Sequence, residues 1–167
     1  RIRDELRAIG LGDTLSNTKF IPEKYLFGSF SVRLDTLRGL MDTDGTVTTA
    51  SSKHVSFSTV SIKLAEDIST LVCSLGGIAK ITKRKAGYKK DGVYVPCQDA
   101  YTVAIKIKVN PFKLTRKAEK HCPDVRYKHE RVLEKVEPIG RVKMRCISVE
   151  HSSQTYLATK SFVVTHN

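Results

Sequence analysis

The chain contains no Cys-x-x-Cys pair. Its four cysteines, Cys73, Cys97, Cys122 and Cys146, are widely scattered, which argues against a structural zinc site. No apolar run approaches the roughly 18 residues of a membrane span. The opening residues, Arg1 to Leu6, lack the apolar core of a signal peptide. With neither kind of segment, the expected setting is cytoplasmic, with no membrane partner, and reducing enough to keep the thiols free. There is no initial Met, as in a processed product or a fragment. No full-length internal repeat and no low-complexity segment is visible. Acidic residues are scarce: 17 Asp and Glu stand against 29 Lys and Arg, for a net charge of +12. That excess points to a polyanionic partner, most often nucleic acid.

What is present is enough for one domain or two small ones: 167 residues, 40% of them apolar. The stretch from Leu37 to Gly45 organises them. Leu34, Leu37, Leu40 and Met41 recur at three- and four-residue spacing, which predicts one face of a helix. Ser31 is a candidate cap. Gly39 interrupts the pattern at a cost of about 1 kcal/mol relative to Ala, which makes sense where another backbone approaches closely. Asp42 and Asp44 fall at the helix C-terminus, where the dipole is already negative. Gly45 suits a left-handed cap. Two carboxylates there need a partner, and a bound cation is the simplest. The alternative is an Asp–Gly turn into a hairpin, since 46–50 and 54–59 read as strands. A calcium loop of the EF-hand type needs a further Asp or Asn before the glycine, which this sequence lacks.

Along the chain, Ile2, Leu6 and Ile9 predict a short amphipathic helix stopped at Gly10 and Gly12. Residues 14–19 read as a loop, and Pro22 begins a short helix through Phe27. Leu64, Ile68, Leu71, Val72 and Leu75 give a second long helical face, closed by Gly76 and Gly77. Residues 78–85 and 101–109 read as strands, the second alternating Tyr101, Val103, Ile105, Ile107 and Val109 with Thr102, Ala104, Lys106 and Lys108. The first of these strands and the connection after it carry Lys80, Lys83, Arg84, Lys85, Lys89 and Lys90, interleaved with Tyr88 and Tyr94. Residues 89–92 read as a hairpin tip. The segment 31–120 is thus an α+β unit: helix, two strands, helix, two strands, short helix. A polar run from Arg126 to Arg131 marks a domain boundary. Beyond it, residues 132–149 and 155–164 read as β-rich, too short to bury a core alone.

The Leu37–Gly45 stretch resembles the signature helix of the LAGLIDADG homing endonucleases. It matches at Leu37, Gly39, Leu40, Asp42, Asp44 and Gly45, and departs at Arg38, Met41 and Thr43. The resemblance implies two such helices packed side by side and an antiparallel saddle sheet that straddles double-stranded DNA. It also implies a divalent metal, Mg2+, held at the DNA backbone by Asp44. The DNA-contacting residues would be Lys83, Arg84, Lys85, Lys89, Lys90, Lys106 and Lys108. Residues 19–22, Lys19, Phe20, Ile21 and Pro22, resemble the block that supplies a catalytic lysine, Lys19. A second lysine is expected after the last strand, at Lys120 or its rival Lys117.

A second resemblance lies at the C-terminus. Residues 144–151, Tyr156 and Leu157, and Phe162 to Asn167 resemble the C-terminal splicing blocks of an intein, which often carries a LAGLIDADG insertion just upstream. The implied chemistry is cyclisation of Asn167, with His166 protonating the departing nitrogen. Cys146 stands where the family has an Asp or Cys that assists the branched-ester step. Gln154 stands where the family usually has a relay His, and His151 is out of register. The N-terminal nucleophile and the Thr-x-x-His block are missing. So is a residue after Asn167.

Residues 1–128 are therefore expected to be the endonuclease region. Residues 129–167 are expected to be the C-terminal part of a Hint-type (Hedgehog/intein) splicing domain. The partners would be double-stranded DNA, the N-terminal intein half and the host extein protein. The alternatives are a stand-alone single-motif endonuclease acting as a homodimer, and a DNA-binding module with a decayed endonuclease.

Overall fold

The computed structural model describes residues 2–48, 54–123, 132 and 134–166. Helix α1 (Ile2–Ala8) buries none of its residues. Helix α2 (Glu23–Leu26) starts at Pro22, whose carbonyl accepts from the Leu26 amide at 3.0 Å. Helix α3 (Phe30–Thr43) is capped by Ser29, whose hydroxyl accepts from the Val32 amide. The cap is therefore two residues earlier than the expected Ser31, which lies inside the first turn and bonds the Ser29 hydroxyl. The apolar face falls as expected, with Leu37 and Met41 fully buried and Leu34 and Leu40 packed against them.

Strands β1 (Gly45–Val47) and β2 (Val55–Thr59) follow, then helix α4 (Ile62–Ser74), capped by Ser61. Strand β3 (Ile78–Arg84) leads into a separate hairpin of β4 (Gly87–Lys90) and β5 (Val93–Pro96), and β6 (Ala100–Lys106) returns to the main sheet. The sheet order is β1-β2-β6-β3, antiparallel at every pairing. Helix α5 (Thr115–Ala118) closes this unit. The α+β order read from the sequence is therefore observed. The added β4–β5 hairpin turns at Asp91 (φ 50°) and Gly92 (φ 81°), the primed geometry that Asp-Gly favours. Strand β6 ends three residues before the expected Val109, and Ile107 beyond it still packs in the core.

Register assigns the two faces of the sheet. Val47, Val55, Ile105 and Ala79 form one cross-strand row, and Phe57, Val103 and Ile81 form the next. These rows meet Leu64, Ile68, Leu71 and Val72 of α4 and Leu37 and Met41 of α3 in one core. Apolar burial of this kind contributes about 25 cal/mol per Å2.

Beyond α5, only β7 (Thr155–Ala158) and β8 (Val163–His166) form strands among the described residues, as one antiparallel hairpin. The expectation of β structure through 132–149 is not met in 134–149. There Val136, Ile139, Met144 and Ile147 are exposed, and residues 134–149 form no strand. The expected boundary at 128/129 lies outside the described residues.

Gly45 is not the left-handed cap that its position suggested. The helix ends on Asp44 at φ −106°, ψ −2°, and Gly45 is absent from the positive-φ residues. Its role is space: a Cβ there would lie 2.5 Å from the Met41 carbonyl oxygen and 2.6 Å from the Met41 Cε. Gly45→Ala should lower stability by about 2 kcal/mol through overpacking, read as a drop in urea midpoint at constant slope. An unchanged midpoint would remove the steric argument.

Candidate functional site

Helix α3 presents three faces, each with a different job. The apolar face holds Leu37 and Met41 in the core. A polar face, Asp35, Arg38 and Asp42, fastens the segment 110–118. Asp35 pairs with Lys113 at 3.1 Å, and the Arg38 Nε donates to the Asn110 carbonyl at 3.2 Å. Both carboxylate oxygens of Asp42 accept from the Lys113 and Leu114 amides at 3.1–3.3 Å. The Lys113 hydrogen bond is the main cause that holds the Asp35 carboxyl below its ordinary pKa, followed by the Lys113 charge.

The third face is open. It carries Val32, Thr36, Gly39 and Thr43 at helical spacing. A Cβ at Gly39 would meet nothing within 4 Å. The Thr36 hydroxyl donates to the Val32 carbonyl at 2.7 Å, and the Thr43 hydroxyl donates to the Leu40 carbonyl at 2.9 Å. Both hydroxyls are thus satisfied within the helix. Among the described residues nothing requires a glycine at 39, so its missing side chain is available to an approaching backbone.

Asp44 ends the helix. Its side chain is exposed and takes no hydrogen bond from any described residue. The two acids of the motif therefore separate: Asp42 is consumed by main-chain amides, and Asp44 is left with a free hard-oxygen donor. No group of three or more metal-ligating side chains occurs among the described residues. Asp44 thus fits one ligand of a divalent site whose remaining oxygens come from elsewhere.

The Lys19 loop is fastened to the start of α4. The buried Ser61 hydroxyl donates to the Lys19 carbonyl at 2.6 Å. The Ile21 amide donates at 2.9 Å to Asp67, a carboxylate only 2% exposed. Asp67 also pairs with Lys63. The register begins with Gly45 opposite Phe57, and Asp44 precedes it as the C-cap of α3. The Lys19 side chain is exposed, as is that of Asp44.

The two candidate second lysines differ sharply. Lys120 is exposed. Lys117 is 8% exposed, and its Nζ donates to the carbonyls of Met41, Asp42 and Gly45 at 2.8, 2.8 and 2.7 Å.

The open face of the sheet carries Thr46, Ser56, Ser58, Lys80, Thr82, Arg84, Thr102 and Lys106, by register. The Ser58 and Thr102 hydroxyls meet at 3.4 Å across it. Of the residues proposed from sequence, Arg84 and Lys106 lie on this face. Lys83 is placed on the opposite face, where Asp99 pairs with it at 2.7 Å; that hydrogen bond is the main cause raising its pKa above 10.5. Lys85 follows the end of β3, Lys89 and Lys90 stand on the separate hairpin, and Lys108 lies beyond the end of β6. Of the hydroxyl-bearing residues, the sequence reading set only Thr102 on the polar face of its strand. Strict parity from Val103 and Ile81 identifies Thr82 and Thr102, but Ser56 and Ser58 need the β2–β6 register.

At the C-terminus, Thr155 faces His166 across the hairpin. Gln154, at φ 51°, directly precedes that pair. His151 Nδ1 and the Ser153 hydroxyl are 2.9 Å apart, and the Ser153 and Thr155 hydroxyls are 2.7 Å apart. Cys146 is exposed in a stretch without helix or strand. Asn167 lies outside the described residues.

This is a helix with a free acid at its end, set beside a half-covered antiparallel sheet. Residues 31–135 match the LAGLIDADG-like domain family, and the chain belongs to that family. Such domains are generally homing endonucleases, which bind DNA. The chain is also 34% identical over 170 residues to the replicative DNA helicase DnaB of Mycobacterium intracellulare. That match covers 99% of this chain and 28% of the helicase, so the chain spans under a third of the relative's length. Among the described residues, no helix is long and apolar enough to cross a membrane.

His121 follows Lys120, and both its ring nitrogens are buried without a hydrogen-bond partner among the described residues. Its ring meets Phe112 edge-on at 6.5 Å. Burial holds its pKa below the ordinary 6.5. The unfolded chain therefore takes up this proton more readily than the folded one. The associated stability is complete above about pH 6.5 and is lost as the pH falls below it. His121→Leu should flatten that part of the stability–pH curve while leaving the curve above neutrality in place. A parent and variant with parallel curves from pH 7 to 5 would refute the assignment.

Proposed function

We propose that this chain is the C-terminal part of a LAGLIDADG-containing intein. It would cut double-stranded DNA at a homing site and, with its N-terminal half, release itself from a host protein. The observation that carries the nuclease reading is the exposed, unpartnered carboxylate of Asp44 at the end of α3. Asp44 would hold Mg2+, which when bound acidifies a water and offsets phosphate charge. Lys19 and Lys120 would orient water and substrate, one for each strand. Thr46, Ser56, Ser58, Lys80, Thr82, Arg84, Thr102 and Lys106 would line the DNA surface, with Lys85, Lys89, Lys90 and Lys108 flanking it. The open stripe around Gly39 would seat the first signature helix, supplied by the N-terminal half.

The splicing reading rests on the C-terminal resemblance. The Asn167 side-chain nitrogen would attack its own main-chain carbonyl, closing a succinimide and breaking the bond to the following residue. The side-chain amide gives up a proton, and His166 delivers one to the leaving amine. Cys146 would assist the branched-ester step, and Gln154 in place of a relay His predicts slow cyclisation. A match that fits within 28% of a DnaB helicase supports a helicase-like host extein, and the location would be that of the host, in the cytoplasm. The homodimer alternative leaves residues 156–167 without a role, and the length of the relative does not favour it.

In the full-length protein, Asp44→Asn should reduce plasmid cleavage by at least about 100-fold with DNA affinity retained. Cleavage at the parent rate would favour a DNA-binding module. Asn167→Ala should leave the C-terminal junction whole by mass spectrometry, whereas scission in that variant would remove the splicing reading.

Binding should also weaken steeply with salt. Lys80→Ala and Arg84→Ala should each reduce the slope of log affinity against log salt by about one. Lys83→Ala should change it far less, because Asp99 already neutralises that ammonium. Equal losses from all three would contradict the assignment of faces.

A further inference from the structure

The acidic motif and the segment after the last strand hold each other reciprocally. From α3, the Asp42 carboxylate takes the Lys113 and Leu114 amides. From α5, Lys117 returns its ammonium to three carbonyls, those of Met41, Asp42 and Gly45. An ammonium has three N–H donors, and all three are directed at main-chain oxygen. Lys117 is buried, and a further contact with water or phosphate would break one of these bonds. The three carbonyls also bracket Asp44 on both sides. The Asp44 amide closes the last helical turn by donating to the Leu40 carbonyl at 3.1 Å.

We infer that Lys117 is a positioning residue and not the second reagent lysine. Together with Asp42 it forms a clamp that fixes the direction of the Asp44 carboxylate. Lys120, exposed one turn further on, is left as the lysine available to substrate. The inference rests on the reading of Asp44 as the metal-holding acid. It extends that reading by assigning Asp42 and Lys117 to the support of that acid. Outer-shell partners of this kind typically tune metal affinity by 10–100-fold.

The test uses Lys117→Gln, which keeps two donors, and Asp42→Asn, which weakens the other side of the clamp without stranding a buried charge. In the full-length protein, DNA cleavage is measured against Mg2+ concentration and against pH. Amide hydrogen exchange at Asp44, Gly45, Lys113 and Leu114 is measured in parallel. Each variant should raise the half-saturating Mg2+ by roughly 10-fold or more. The rate at saturating Mg2+ should stay within about threefold of the parent, with an unchanged pH profile, and exchange at the four amides should quicken. A drop of about 100-fold at saturating Mg2+, with an unmoved half-saturation point and an altered pH profile, would make Lys117 a reagent and overturn the inference. So would variants that match the parent in every readout. Should Asp44→Asn cut DNA normally, the reading beneath the inference fails, which is a separate result.

Discussion

Helix α3 has to end inside the protein, and the rest of the domain is arranged around that ending. A helix leaves its last carbonyls without partners, and here several of them stop where water is excluded. An ammonium from a distant segment fills the gap, while a carboxylate near the helix end holds the segment that carries it. Burying an unpaired ammonium would cost several kcal/mol. With three charge-assisted bonds, each contributing about 1.5–3 kcal/mol, the burial is offset. The positive charge also opposes the negative end of the helix dipole. The outcome is a rigid turn from which one acid projects into solvent.

The antiparallel sheet extends this logic. Strand alternation gives it one face for α3 and α4 and leaves the other bare. The bare face mixes hydroxyls with Lys80, Arg84 and Lys106, a composition suited to phosphate and base edges. The C-terminal hairpin is different in kind. Two strands alone are marginally stable, and several apolar side chains before it are exposed. Under the proposed reading, a metal-dependent cut and a self-cleaving terminus would make separate demands, met in separate regions of the chain.

Several features were legible from residue spacing alone. Leu34, Leu37, Leu40 and Met41 announced their helix, and Leu64 to Leu75 announced another. Asp91 and Gly92 announced a hairpin tip. Local chemistry misled at two points. Ser29 and Ser31 are both plausible caps, and only the path of the incoming chain selects Ser29. Gly45 looked like a left-handed residue, but a buried methionine one turn earlier is what demands it. Lys117 looked as eligible as Lys120 for chemistry, because sequence carries no information on which of two nearby lysines is buried.

The sequence by itself determined the elements and their order, since periodicity and turn residues act over a few positions. It also determined the basic character of the molecule and which residue types could cut a phosphodiester or cyclise. The tertiary structure decided how those residues were used. It split Asp42 and Asp44 into an anchored and an exposed acid, sent Lys83 to the face of the sheet opposite Lys80 and Arg84, and buried Lys117 against the end of α3. Each of these depends on groups many residues apart meeting in a common space, where burial and donor count leave only one arrangement satisfied.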